Sequence, residues 1–274
     1  MKQFFIVVAV VVAATHFSYA QKIEATVIDA QSREPIAYAS VGVVERTLGT
    51  LADTVGHFSL DVPMELDGDS LRISCVGYGE LTMSVADARK CKEFALEAVE
   101  YPLPEVEVMP IETKAKHYGR KSAKGSMFLV VEGDCGAGKE MGMQFKTKKR
   151  AWIKNVSFAI VENDSMLVRM PFRLNLYKTQ GDKYANNLVS SHQFLYTKDA
   201  IENGRFTFQL PTPIAIDKGD YVIAVEFLEN FPNRNFQMRT SIMTGLTFSR
   251  YAPQSSWKKI PLGSTLAIDV VEER

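Results

Sequence analysis

The residues of this chain that come nearest to a chemical motif lie at 133–140, where the sequence reads GDCGAGKE. A phosphate-binding loop has the pattern G-x-x-x-x-G-K-[ST], in which backbone amides cradle phosphates and a hydroxyl holds magnesium. Here Glu140 stands in place of the hydroxyl and would bring a negative charge beside the phosphates. Residues 141–161 alternate as strands do, so they offer no helix N-terminus to complete such a site. The segment is therefore predicted to be a glycine-rich turn.

The other residues that could do chemistry are histidines, serines and carboxylates. After residue 20 the histidines are His57, His117 and His192, and none stands at a metal-binding spacing such as H-E-x-x-H. No G-x-S-x-G sequence marks a nucleophilic serine, so a Ser-His-Asp triad would need residues far apart in the chain. Asp217 and Asp220 flank a turn, where local backbone bonding explains aspartate better than calcium does. The sequence predicts no catalytic residue, metal or cofactor.

Aromatic side chains could bind a ligand differently, because sugar rings stack their apolar faces on flat side chains. Trp152, Tyr177, Tyr251 and Trp257 are the candidates for such a platform, and burial in a core is the usual alternative for each. Trp257 has the most polar neighbours and is predicted to be the exposed one. We therefore take Trp257 as the candidate for glycan stacking.

Alternating apolar and polar residues, typical of half-buried strands, run through the second half of the chain. Four such series begin at Val156, Phe172, Phe206 and Tyr221. Turn clusters of Asn, Asp and Gly separate them, and no stretch of 12 or more residues has clean helical periodicity. The pattern predicts a two-sheet antiparallel sandwich, jelly-roll-like, over residues 126–274.

Residues 23–80 have shorter strand-like runs, punctuated by glycines and by the turn at Glu34-Pro35. The runs read IEATVID from Ile23, EPIAYASV from Glu34, LGTLADTVGHFSL from Leu48 and LRISCVGY from Leu71. This series resembles the carboxypeptidase-regulatory-like domain, a small transthyretin-like β-sandwich of cell-envelope proteins in Bacteroidetes-type bacteria. The resemblance implies a folding and binding module, without an active site, over residues 21–100. The whole chain is thus expected to be all-β.

Residues 1–20 have the features of an export signal, with Lys2, an apolar stretch over 4–14 and small residues at the cleavage position. The stretch is too short for a membrane-spanning helix, which needs about 20 residues. Residues 101–125 begin with prolines, then become basic with few large apolar side chains, and are predicted to be a linker. We expect an exported protein without a transmembrane segment, periplasmic, outer-membrane-associated or extracellular.

Charge is unevenly distributed, with a net charge of −10 over residues 21–113 and +8 over residues 114–154. The basic segment could meet an anionic glycan, lipid headgroups or the acidic N-terminal domain, or it could form a solvated face. The balanced total predicts no nucleic-acid partner. Cys75, Cys91 and Cys135 allow one disulfide at most; free cysteines are the default, and a bridge between Cys75 and Cys91 is the alternative.

These features predict a non-catalytic exported envelope protein that binds a glycan or a partner envelope protein through its β-sandwich modules. Two alternatives stay open. One is a secreted hydrolase whose site is assembled within residues 126–274 from residues distant in sequence. The other is an assembly or structural factor of the envelope that docks its basic segment on an anionic surface, with binding that salt weakens.

Overall fold

The computed structural model describes residues 20–99, 112–122, 124, 127–132, 136–163, 166–180 and 183–274. Strands and their connections account for nearly all of these residues, and they form four sheets. The sheets belong to an N-terminal and a C-terminal sandwich, which confirms the all-β prediction. In the described part of the chain, no helix has the length and apolar character that a bilayer crossing requires.

The N-terminal sandwich contains seven strands in two sheets. The strands are β1 (Ala20–Asp29), β2 (Ser40–Val43), β3 (Gly49–Leu51), β4 (His57–Pro63), β5 (Ser70–Ser74), β6 (Leu81–Ser84) and β7 (Glu93–Leu96). One sheet has the order β4-β1-β7 and the other β3-β2-β5-β6. A 3-10 turn, Met64–Leu66, follows β4, and a four-residue helix, α1 (Val85–Ala88), follows β6.

Strand β4 shows how the sequence builds this sandwich. Phe58, Leu60 and Val62 are buried, whereas Ser59 and Asp61 between them are exposed. Successive side chains of a strand point to opposite faces, so this alternation gives one face to the core and one to solvent. The apolar faces of the two sheets meet in a single core.

The C-terminal sandwich is larger. Its strands are β8 (Thr113–Gly119), β9 (Met127–Glu132), β10 (Glu140–Thr147), β11 (Ala151–Ala159), β12 (Arg169–Gln180), β13 (Lys183–Thr197), β14 (Ile201–Glu202), β15 (Arg205–Ile216), β16 (Gly219–Phe227), β17 (Asn235–Arg250), β18 (Lys258–Ser264) and β19 (Ala267–Glu273). The seven-stranded sheet has the order β13-β12-β16-β10-β17-β18, with β9 also paired to β17. The five-stranded sheet has the order β14-β15-β11-β19-β8. A 3-10 turn, Lys198–Ala200, precedes β14.

Aromatic side chains from both sheets fill the centre of this sandwich. Phe172 of β12 contacts Phe227 of β16 with ring centroids 4.8 Å apart, and Phe158 of β11 across the sandwich at 6.3 Å. The four apolar series predicted from the sequence all contribute to this core. Their spacing therefore identified the inward faces of β11, β12, β15 and β16.

Strand β8 corrects the linker that was predicted over residues 101–125. Thr113–Gly119 pairs with β19 along its whole length, from Thr113 opposite Glu273 to Gly119 opposite Ala267. As the last strand of its sheet it needs few apolar residues, and Tyr118 supplies one by packing against Phe145. Residues 101–111, 123 and 125 of the predicted linker and 1–19 of the predicted signal lie outside the described residues.

Candidate functional site

Four charged side chains lie in one row across the outer face of the seven-stranded sheet. Arg173 of β12 is opposite Glu226 of β16, Glu226 is opposite Glu140 of β10, and Glu140 is opposite Arg250 of β17. Directly opposed residues share a face of the sheet, so the row has the charges plus, minus, minus, plus. None of the four residues is more than 7% exposed. We call these four residues the charge row.

Each glutamate of the charge row has its own arginine. Arg173 Nε lies 3.0 Å from the Glu226 carboxylate, an ion-pair contact without hydrogen-bond alignment. Arg250 donates to Glu140 from Nε at 3.0 Å and also from Nη2. Buried charges are costly unless they are paired, so two pairs with no net charge are the arrangement that burial requires.

Neutral side chains of β12 complete the hydrogen bonding of the two carboxylates. The Asn175 amide donates to Glu226 at 2.8 Å, and the Tyr177 hydroxyl donates to Glu140 at 2.9 Å. Burial raises the pKa of Tyr177 well above its usual value, so this hydroxyl stays protonated and remains a donor. Ion pairs and hydrogen bonds thus hold both carboxylates of the row in place.

The two carboxylates also act on each other. Burial is the main cause that raises the pKa of Glu226; Arg173 opposes this effect, and the adjacent Glu140 charge adds to it. Burial alone would lower the pKa of Arg250, but the Glu140 charge holds it above its usual value. The network therefore depends on the arginines at its two ends.

The N-terminal sandwich covers the Arg173 end of the charge row. Arg173 Nη2 donates to the Tyr38 carbonyl oxygen at 2.8 Å, and the Tyr38 hydroxyl donates to Glu229 at 2.8 Å. Burial and the Glu229 carboxylate raise the pKa of Tyr38 to about 12. Burial also raises the pKa of the Cys75 thiol; the charge of Arg173 lowers this pKa, and the charge of Glu226 raises it. The row is therefore part of the interface between the sandwiches.

The loop between β17 and β18, residues 251–257, makes the second set of contacts between the sandwiches. The Gln254 carbonyl accepts from the Glu45 amide at 3.1 Å, and the Gln254 side chain donates to the Ser74 hydroxyl at 3.0 Å. Tyr38, Glu45 and Gln254 all have left-handed backbones, with φ of 57°, 61° and 63°. Such conformations persist where surrounding contacts determine them, and here part of those contacts comes from the other sandwich.

Glycines let this loop approach both sandwiches closely. A Cβ on Gly42 or Gly49 would lie 2.3 or 2.8 Å from the Pro253 carbonyl oxygen. Gly138 has φ of +78°, and a Cβ there would lie 2.5 Å from Pro253 Cδ. Residues 137 and 138 form the predicted turn, which packs against this loop, while Glu140 belongs to the charge row. Cys135 lies outside the described residues.

The aromatic candidates differ in exposure. Trp152 and Tyr177 are buried, and Trp257 is half-buried. The ring centroids of Trp257 and Tyr177 lie 5.5 Å apart in a T-shaped contact, and the Arg250 guanidinium lies 4.9 Å from the Trp257 centroid. Tyr251, at 46% exposed, is the most exposed of the four, which corrects the expectation for Trp257. Lys258 Nζ lies 5.1 Å from the Tyr251 ring. Glycan stacking by Trp257 stays a prediction.

Comparison with known proteins assigns the first module. A family model described as the CarboxypepD_reg-like domain matches residues 23–114. Residues 23–114 are a CarboxypepD_reg-like domain. The domain thus provides the Tyr38, Glu45, Ser74 and Cys75 side of the interface. A search of the curated proteins finds no match.

Two solved structures are similar to the chain only loosely. The structure of infectious bursal disease virus Gt strain has 7% identity and a TM-score of 0.31, over 91% of this chain and 62% of that chain. The infectious bursal disease virus VP2 subviral particle has 6% identity and a TM-score of 0.29, over 91% and 63%. This chain spans about three fifths of the length of those chains. Nothing about its fold or function follows from similarity at this level.

Histidine pairs occur outside the CarboxypepD_reg-like domain, in different sheets. His117 Nδ1 lies 2.6 Å from Asp269 between β8 and β19, and His192 Nε2 lies 2.9 Å from the Ser190 hydroxyl within β13. Within the described residues, the histidine that contacts Ser190 is therefore a different one from the histidine that contacts Asp269. In the same part of the chain, no three or more His, Cys, Asp and Glu residues are grouped to hold a metal ion. Cys75 and Cys91 are both free.

Ion pairs neutralise part of the positive charge of residues 114–154. The basic hairpin between β10 and β11 lies beside the acidic turn before β16, with Lys146 3.0 Å from Asp220 and Arg150 3.9 Å from Asp217. The Asp217 carbonyl also accepts from the Tyr221 hydroxyl at 3.0 Å. The two aspartates therefore have basic partners that local sequence does not reveal, and local backbone bonding by their side chains stays a prediction.

Proposed function

We propose that this chain is a non-catalytic exported envelope protein that binds an anionic glycan at the loop 251–257. The observation that carries the proposal is the exposed Tyr251 ring with Lys258 beside it, next to the half-buried Trp257. A flat ring offers a stacking surface to a sugar, and an adjacent lysine offers a charge to an acidic substituent. Lys259 follows directly in the chain and adds to the basic character of this surface.

The fixed position of the loop supports a binding role. Pro253 packs against glycines of both sandwiches, and Gln254 is hydrogen-bonded to the CarboxypepD_reg-like domain. Within the loop, the buried Ser255 hydroxyl donates to the Ala252 carbonyl at 2.7 Å. A binding surface that is already ordered loses less conformational entropy when the ligand arrives.

The charge row supports a structural rather than a catalytic use of the buried carboxylates. Glu226 forms an ion pair with Arg173 and accepts from the Asn175 amide, and Glu140 accepts from Arg250 and from the Tyr177 hydroxyl. A general acid or base must reach a substrate proton, and both carboxylates are buried against these partners. Export is proposed from residues 1–20, whose composition is that of a signal peptide.

The proposal is tested by calorimetric titration of the chain with acidic and neutral polysaccharides. We expect Tyr251→Ala to weaken binding of the acidic polymer about tenfold, a loss of roughly 1.4 kcal/mol. Tyr251→Phe keeps the ring and should bind as the wild type does, and Lys258→Gln should reduce the preference for acidic over neutral polymer. Unchanged binding by Tyr251→Ala would refute the site. Release of shortened saccharides would refute the non-catalytic assignment.

A further inference from the structure

The outermost strands of the C-terminal sandwich differ in how they resist pairing with another strand. Prolines and lysines on an edge strand block the addition of a further strand. The blocking residues are Lys258, Lys259 and Pro261 of β18, Pro211 and Pro213 of β15, and Lys114 and Lys116 of β8. Strand β14 covers only the first two residues of β15, so the prolines stand where that edge is open.

Strand β13, at the end of the seven-stranded sheet, has no such protection. From Leu188 to Thr197 it contains no proline, lysine, arginine, aspartate or glutamate. Among the described strands it is paired with β12 alone. Val189 and Leu195 are each 45% exposed. A long edge that is free of these charges and carries exposed apolar side chains is a template for a further strand.

The edge is also held in an ordered position. Ser191 donates from its hydroxyl to Asn175 at 2.7 Å, and Asn175 in turn donates to Glu226 of the charge row. On the core face, Phe194 stacks on Phe172 with centroids 5.6 Å apart. A strand that is already fixed on both faces loses little conformational entropy when it pairs with another strand.

The side-chain pattern of β13 is complementary to itself. Two copies of one strand can pair antiparallel about a two-fold axis, so that every contact occurs twice. With the axis at His192, Leu195 stands opposite Val189 of the partner subunit, and Gln193 stands opposite Ser191 of the partner subunit. Apolar residues then meet apolar residues, polar residues meet polar ones, and no like charges are opposed.

We propose that two copies of this chain form a dimer by antiparallel pairing of β13 with β13, centred on His192. The seven-stranded sheets of the two subunits then form one continuous sheet. The exposed Val189 and Leu195 become covered, and the unpaired backbone groups of the edge are satisfied. The proposal is independent of glycan binding, because the loop 251–257 lies at β18, the opposite end of the sheet order.

The test is the solution mass of the full chain, measured by light scattering after size-exclusion chromatography. We expect twice the chain mass for the wild type and a single chain mass for Leu195→Lys and Val189→Lys. Val130→Lys places the same charge at an equally exposed position, 49%, on β9 and should leave the dimer intact. Circular dichroism checks that each variant is folded.

A second variant tests the register. Opposed residues at a two-fold axis have Cα atoms about 4.5–5.5 Å apart, within the range that a disulfide spans. We expect His192→Cys to give a dimer cross-linked by mild oxidant, above the level of the wild type, whereas Thr197→Cys, away from the axis, should not. A monomeric wild type, a dimer that survives Leu195→Lys, or a dimer split only by Val130→Lys would each overturn the proposal.

Discussion

Removal of Arg173 is the most direct test of the charge row. In Arg173→Met the side-chain volume is nearly kept, but Glu226 loses its cation while it stays buried, and Tyr38 loses the donor to its carbonyl oxygen. Breaking a buried pair by removing one partner costs about 3–5 kcal/mol, because an uncompensated charge remains. Since 1 kcal/mol shifts the melting temperature of a domain of this size by about 2–4 °C, we expect a fall of about 6–20 °C.

The loss of stability in Arg173→Met should depend on pH and on a second substitution. Burial already raises the pKa of Glu226, and without Arg173, which lowers it, the pKa rises further. A carboxyl whose pKa is higher in the folded than in the unfolded state destabilises the fold as pH rises above the unfolded pKa. The penalty of Arg173→Met should therefore be smaller near about pH 5 than near about pH 8. Adding Glu226→Leu should restore most of the stability at both.

Thermal unfolding followed by circular dichroism measures these effects. The control is Arg33→Met, which removes an ion pair with Glu93 whose side chains are more than half exposed, and it should leave the melting temperature close to that of the wild type. A melting temperature for Arg173→Met equal to that of the wild type would refute the reasoning. So would a double variant less stable than Arg173→Met alone, since the buried carboxylate would then not be the source of the cost.

Two further predictions concern the interface. Gly138→Ala should destabilise the fold by about 1–3 kcal/mol, because the left-handed backbone of Gly138 and its contact with Pro253 exclude a Cβ. Gly68 has open space around it, so Gly68→Ala should be near neutral. Denaturant titration of both variants measures the two changes in stability. Cys75, whose thiol pKa is raised by burial, should react more slowly with maleimide than Cys91 at neutral pH, and faster once the interface is weakened by Arg173→Met. Peptide mass spectrometry measures both rates, and equal rates in the wild type would contradict the effect of partial burial on the Cys75 thiol.

The inward faces of the strands could be predicted because apolar spacing is a local signal. Phe172, Leu174 and Leu176 alternate with polar residues, and the structure buries all three. The same rule misplaces the outer face of β16, where it assigns Val222, Ala224 and Glu226 to the less buried side. These residues are buried because the CarboxypepD_reg-like domain, Tyr177, Phe248 and Trp257 cover them, and that cover comes from distant parts of the chain.

The candidate site was less accessible to sequence reasoning than the fold. Arg173 and Glu226 look like solvent-facing residues in their own strands, and only the pairing of β12 with β16 brings them together. Strand β8 was missed for a similar reason, because its partner β19 lies at the other end of the larger domain. Glycine-rich turns were predicted from local chemistry, but the contact of Gly138 with Pro253 was not.

The side-by-side placement of Glu140 and Glu226 has a consequence for how the sheet finds its alignment. Two carboxylates opposite each other repel, so β10 and β16 gain full stability only when β12 and β17 bring an arginine to each flank. If β16 slid by two residues, Glu226 would move away from Arg173. The carboxylate would then lose its cation, and the cost of that loss favours the native alignment.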